Sequence, residues 1–315
     1  MNLIEVTRKF KTDDDCLDYL EAMRWPSGVC CIKCGSLNIS TITREAEGKN
    51  KRTRIYQCLE KECGHQFSPT AGTVFHDSHL PLTKWFMAMA LICEAKKGIS
   101  AKQVARHIGL EKSYKTAWYL CHRIRKAMKE GGLLGSDGEV LEADETYLKP
   151  RKPRKGAPYV KKEHKEVVLG MVERGGKLRL VPVSGTKVED LQPALEKHIS
   201  PDVKMIYTDE HPIYDFALRG KYPGKHGTIN HSRTYVAGEV HTNTVENAFS
   251  LLKRGLYGTF HQVSIKHLGR YCEEFSYRFT RRYEQSEMFD TTLRGLLREK
   301  PLQFKALTGS GTEPF

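Results

Sequence analysis

The stretch EVLEADETYL, residues 139–148, decides the fold. Val140, Leu141, Thr146, Tyr147 and Leu148 give it strand character, with a turn-like GSDG before it and a basic, proline-rich run after it. Yet Glu142, Asp144 and Glu145 put three carboxylates within four residues of the same strand. Unpaired charge is costly to bury, so something cationic must compensate, and a divalent metal ion is the economical candidate. The alternative is an edge strand with one wet face.

Working outward, the pattern predicts further strands at 166–172, 177–183 and 203–208, a helix at 188–199, and short strands at 228–231 and 234–236. Helices at 244–256 and 265–283 close the segment. Three strands, a helix, a strand and more helices predict an α/β domain, a mixed sheet with helices on its faces. Residues 149–165 hold eight Lys or Arg and three Pro, which predicts a basic arm rather than core. The aromatic and arginine stripe Tyr271, Phe275, Arg278, Phe279 and Arg282 reads as packing with a basic margin.

Two more acids stand out. Asp209 ends the strand VKMIYTD, sharing a face with Val203, Met205 and Tyr207. It could equally cap a helix entered through Pro212. Glu246 lies near the start of a helix whose buried stripe is Val245, Ala248, Phe249, Leu252 and Leu256. Asn243-x-x-Glu246 also fits a capping box, which would leave Glu246 a purely local role. Taken together, a strand acid, a strand-tip acid and a helix acid can converge on two divalent ions for in-line phosphoryl displacement. Oxygen ligands and phosphate substrates favour Mg2+, or Mn2+. Lys253, two turns beyond Glu246, could meet a DNA phosphate.

The amino-terminal part carries other signals. Asp13-Asp14-Asp15 opens a short helix that Trp25-Pro26 ends. Cys31-x2-Cys34-Gly35 and Cys58-x4-Cys63-Gly64 form two knuckles able to hold one tetrahedral Zn2+ in a zinc ribbon, although Cys30 could replace Cys31. A buried helix at 80–95 precedes a helix-turn-helix pattern. Ser100 and Gln103 cap its first helix, Gly109 supplies the turn, and the second helix runs over 113–128. Residues 96–130 hold ten Lys or Arg against two Glu, which suits a DNA-reading element with Lys112, Lys115 and Arg123 as contacts. Across all 315 residues the net charge is +13, and no apolar run approaches a membrane span. Nine cysteines without a signal-peptide core favour metal ligation over disulfides and predict a soluble, cytoplasmic protein.

The runs EADETYL, YTDE and HTNTVENAFSLLKRGLYG, with EEFSYRFTRR beyond them, resemble the bacterial insertion-sequence DDE transposases of the ISXO type, relatives of the eukaryotic Merlin transposases. RWPSGVCCIKCGS, YQCLEKECGHQFSPTAGTVF and CHRIRKAM match the same family's zinc ribbon and helix-turn-helix. The resemblance implies an RNase H-like catalytic domain with Asp144, Asp209 and Glu246 as its metal-binding triad, and Lys253 as the basic residue after the glutamate. It implies a transposase that cleaves its element's ends and joins the 3′ ends to target DNA, with two Mg2+ or Mn2+ per site and one structural Zn2+ on Cys31, Cys34, Cys58 and Cys63. The expected partners are double-stranded DNA, as terminal inverted repeats and target, and further copies of the chain; the expected location is the bacterial cytoplasm, on the nucleoid when bound. Arg151, Lys152, Arg154 and Lys155 of the arm are expected to touch DNA. The expected partition is a zinc ribbon over 1–79, helix-turn-helix over 80–132, catalytic domain over 137–290 and tail over 291–315. A DNA-binding regulator with a decayed catalytic domain, or a nuclease that cuts without joining, are the alternatives.

Overall fold

The computed structural model describes residues 1–43, 54–148, 166–229 and 242–309, which fall into two units. The first opens with α1 (Leu3–Lys9) and α2 (Asp13–Arg24), each started by a capping box, Asn2 with Glu5 and Thr12 with Asp15. A three-stranded antiparallel ribbon follows in the order β1 (Ile39–Thr43), β2 (Arg54–Cys58), β3 (Gln66–Phe67). Trp25, Tyr56 and Phe67 pack edge-on and tilted beside it, a small aromatic core for a small sheet. Then come α3 (Leu82–Glu94), α4 (Ala101–His107) and α5 (Tyr114–Ala127). Between α4 and α5, Gly109 sits at φ +65°, a left-handed turn position that a side chain would strain. The expected buried helix and helical pair therefore exist where the periodicity places them.

The second unit carries the sheet. Its elements are β4 (Val140–Leu148), β5 (Glu166–Glu173), β6 (Leu178–Val183), α6 (Val188–His198), β7 (Met205–Asp209), α7 (Pro212–Arg219), β8 (His226–Ile229), α8 (Asn243–Gly255) and α9 (Ile265–Thr280). The strand order is β6-β5-β4-β7-β8. β4, β5 and β6 run antiparallel in succession, whereas β7 and β8 lie parallel to β4, so the sheet is mixed and β4 is central. This is the RNase H-like arrangement expected, with helices on both faces. The edge-strand alternative for residues 139–148 is thereby removed. The short strand expected at 234–236 lies outside the described residues. The chain then returns to the first unit through α10 (Gln285–Arg298) and α11 (Phe304–Thr308). Met288, Phe289, Thr292, Leu293 and Leu296 are buried along α10, so residues 291–298 are packed helix rather than tail.

Alternation along β4 sorts its side chains between two cores. On one face Leu148 joins Val168, Val172 and Leu180 against Val245 and Phe249 of α8 and Tyr271, Phe275 and Phe279 of α9. On the other, Leu141 and Ala143 join Leu169, Met171 and Ile206 against Leu191 and Leu195 of α6 and Tyr214 of α7. Glu142 and Asp144 are in phase with Leu148, and Glu145 with Leu141. The aromatic stripe of α9 is indeed packing, since Tyr271, Phe275 and Phe279 belong to the first of these cores.

Candidate active site and cysteine cluster

β4 and β7 are paired in parallel, with Glu142 opposite Tyr207. That is the last pair of the ladder, and two residues further along each strand come Asp144 and Asp209. Asp209 closes β7, and its Oδ1 accepts from the His211 amide at 3.2 Å. It is not the cap of the next helix: His211 occupies that position, its ring nitrogen accepting from Ile213, and Pro212 opens α7. Its strand-tip carboxylate is thus free of the capping role that the sequence left open.

Glu246 is carried by α8, and here the local reading of the sequence fails. The residue flanking the helix is Thr242, not Asn243, and no capping side chain comes from it. Glu246 sits one place beyond the capping-box position, its amide bonded to the Thr242 carbonyl at 3.2 Å. The orphan amides of the first turn are taken by a remote group, Glu142. Val245, Ala248, Phe249, Leu252 and Leu256 are all buried as the stripe predicts, which leaves Glu246 on the exposed flank with Lys253 two turns on.

The electrostatics of Asp144 join these pieces. Its carboxyl titrates at about 7 instead of 3.8, chiefly because it is buried, then because Glu145, Asp209 and Glu246 repel its charge. The Glu145 amide, donating to Asp144 Oδ1 at 2.8 Å, works the other way. Both other members of the expected triad therefore act on Asp144 through space. Glu145 points to the opposite core, where the Tyr214 hydroxyl donates to it; that tyrosine, fully buried and facing carboxylates, is pushed well above 10. Among the described residues, the oxygens of the acids do not draw into a set as tight as the cysteine sulfurs below. Mutually repelling carboxylates behave so, and a divalent cation would offset both burial and repulsion. The donor set is all oxygen and fits Mg2+ or Mn2+.

In the ribbon, Cys31, Cys34, Cys58 and Cys63 bring their sulfurs within 4.8 Å of one another. Cys31 and Cys63 are 3.7 Å apart, Cys34 and Cys58 3.6 Å. Four thiolates about 2.3 Å from a tetrahedral centre lie about 3.8 Å apart, so the set fits one Zn2+ with no open position. Gly35 and Gly64 have φ of +78° and +51°, which turns each knuckle back and explains a glycine after its second cysteine. The Lys33 amide points at the Cys31 sulfur at 3.4 Å. Although burial opposes it, such amide bonds hold the Cys31 thiol down at about 7. Cys30 is outside the set, which resolves the choice between neighbouring cysteines.

Residues 135–280 match the model of the ISXO2-like transposase domain, and residues 11–66 that of the transposase zinc-ribbon domain. The chain carries an ISXO2-like transposase domain behind a transposase zinc ribbon. The "uncharacterized protein in transposable element ISH50" of Halobacterium salinarum is 26% identical over 275 residues, covering 79% of this chain and 85% of that protein. Two solved structures share 11% and 12% identity with this chain: a pre-cleavage Mos1 transpososome (TM-score 0.24, 68% of this chain and 79% of that one) and the Mos1 mariner paired-end complex with Mn (TM-score 0.18, 69% and 79%). Likeness at that level establishes no shared detail.

The basic residues singled out in the sequence divide into four groups. Lys112 and Lys115 are exposed at the start of α5, beside the exposed Tyr114 and Thr116. Arg123 is not: it is 5% exposed, donates to the Val74 and His76 carbonyls, and stacks on Trp85 and Tyr119. A DNA-contact role for Arg123 is therefore corrected to a packing role, because its guanidinium is spent on backbone carbonyls and aromatic faces. Arg151, Lys152, Arg154 and Lys155 lie outside the described residues. Lys253 is half-buried on the flank of α8 that carries Glu246. No helix among the described residues is long and apolar enough to cross a membrane.

Proposed function

We propose that this chain is a transposase that cleaves the ends of its own element and joins the freed 3′ ends to target DNA. The observation that supports the reading is that Asp144 and Asp209 each lie two residues past the last pair of the parallel β4–β7 ladder, while Asp209 and Glu246 both repel the charge of Asp144. Asp144, Asp209 and Glu246 would hold two Mg2+ or Mn2+ ions. When bound, such ions would supply the positive charge that stabilises the entering and leaving oxygens of an in-line displacement at phosphorus. In the first displacement water supplies the entering oxygen, and the products are a 3′-hydroxyl and a 5′-phosphate. In the second, that 3′-hydroxyl attacks a target phosphodiester and releases a new 3′-hydroxyl, so no covalent enzyme intermediate is required. Lys253, on the Glu246 flank, is suited to hold a backbone phosphate. Cys31, Cys34, Cys58 and Cys63 would hold one structural Zn2+. Lys112, Lys115 and the 149–165 arm would bind double-stranded DNA, with more than one copy of the chain engaged on the paired ends.

The test is Mg2+-dependent nicking and strand transfer on duplexes cut from the DNA flanking its own gene. Wild type should do both. Glu246→Gln should lose both by about 10²-fold or more, the size seen when one transition-state-stabilising group is removed, with its melting temperature and end binding kept. Nicking without joining would make the protein a nuclease, and binding without nicking a regulator. Near-normal nicking by Glu246→Gln would refute the triad.

A further inference from the structure

Glu142 is two residues before Asp144 on the same face of β4, and it is completely buried. A carboxylate there is tolerable only if donors saturate it. One oxygen accepts from the Thr244 amide at 2.8 Å and the Val245 amide at 3.1 Å. The other accepts from the Thr244 hydroxyl at 2.9 Å and the Arg174 Nε at 3.1 Å. Donors thus reach both oxygens, which commits the carboxylate to α8 and Arg174 rather than to an ion. Three of these donors belong to the first turn of α8. A single side chain of the central strand thus does for α8 what Thr242 does not, and a negative charge there also suits the positive end of the helix dipole.

The next residue along α8 is Glu246. Its height above the sheet and its rotation about the helix axis are set by how the first turn is docked. A second feature limits the same docking from below. Gly170 of β5 is the cross-strand partner of Asp144. A Cβ on Gly170 would lie 2.6 Å from the Phe249 ring and 2.8 Å from Val245. The helix therefore lies almost on the strand backbone, directly beside Asp144, and only glycine allows it.

We infer that Glu142 is a positioning residue of the active site: it docks the first turn of α8 on β4 and so holds Glu246 in register with Asp144, without itself binding metal. This rests on the triad reading above. Of the three acids in the strand, Asp144 faces the site, Glu142 aligns the helix that completes it, and Glu145 is committed to Tyr214 on the other face. Removing a group that orients a metal ligand costs about 10–100-fold in metal affinity or activity.

The experiment is Mn2+ binding to the full-length protein without DNA, followed by electron paramagnetic resonance, with helix content and melting temperature recorded. Mn2+ that survives Glu246→Gln is counted as background. Glu142→Gln, which turns an amide group toward backbone donors, should weaken site binding about 10–100-fold. Glu142→Asp should do likewise, because the charge remains but the carboxylate is drawn back by one methylene. Thr244→Val, which removes one hydroxyl bond and leaves both amide bonds in place, should weaken binding less, in the same direction. If Glu142→Gln does not fold, Thr244→Val decides the matter. Wild-type affinity in folded Glu142→Gln, in Glu142→Asp or in Thr244→Val would overturn the inference, the Glu142→Asp case by showing that charge alone matters. A wild-type protein with no Mn2+ beyond background would instead refute the triad, and the inference with it.

Discussion

Replacing Asp144 by Asn should stabilise the metal-free protein, and the gain should depend on pH. In the folded chain Asp144 ionises at about 7, against 3.8 ordinarily. The folded state therefore keeps a proton that the unfolded chain gives up between those values. Its contribution is fully present below about pH 4, and it is lost as pH rises through about 7. At 1.36 kcal/mol per pH unit, the whole loss is about 4 kcal/mol. Asparagine has nothing to ionise, and its carbonyl can still accept from the Glu145 amide as Asp144 Oδ1 does. In chelator at about pH 8, Asp144→Asn should exceed wild type by about 2–4 kcal/mol, the lower figure allowing for relaxation of the site. The difference should shrink to nothing towards about pH 4. Denaturant titrations of both proteins across this range measure it. Adding Mg2+ or Mn2+ at the upper end should stabilise wild type and leave the variant unmoved, because a metal ion offsets the repulsion only where the ligand remains. A stability difference that is constant with pH, or a variant weaker than wild type at about pH 8, would refute the account of the site's electrostatics.

Cys58→Ser should lose one equivalent of Zn2+ by elemental analysis and lower the melting transition of the first unit, while the transition of the second stays in place. Arg123→Ala should destabilise the protein by about 2–3 kcal/mol, since it strips charged hydrogen bonds from buried carbonyls, and leave the salt dependence of DNA binding unaltered. Lys112→Ala with Lys115→Ala should do the reverse, leaving the melting temperature alone and reducing the slope of log K against log salt by roughly 2. Neutralising Arg151, Lys152, Arg154 and Lys155 together should reduce that slope by roughly 3–4 if each meets a phosphate; an unchanged slope would remove the arm from the interface.

Much of this protein is determined by local sequence. The knuckle spacing and its two glycines suffice for the cysteine set except the choice between Cys30 and Cys31, because a zinc knuckle is a short-range structure whose geometry is written in adjacent residues. Periodicity suffices for the strands and for the buried stripe of α8, because burial on one side of a regular element leaves a regular pattern. Tertiary structure alone decided the rest. No local pattern separates Glu142, Asp144 and Glu145: the first two share parity, and only the docking of α8 gives one to helix amides and leaves the other to the site. The capping box at Asn243 and Glu246 was sound as local chemistry, but a buried carboxylate from a strand 102 residues earlier in the chain outcompeted it. Arg123 likewise belongs to a basic run in the sequence, and only the carbonyls and rings folded around it remove it from the surface. Charge in sequence states what a residue can bind; the fold states which partner reaches it first.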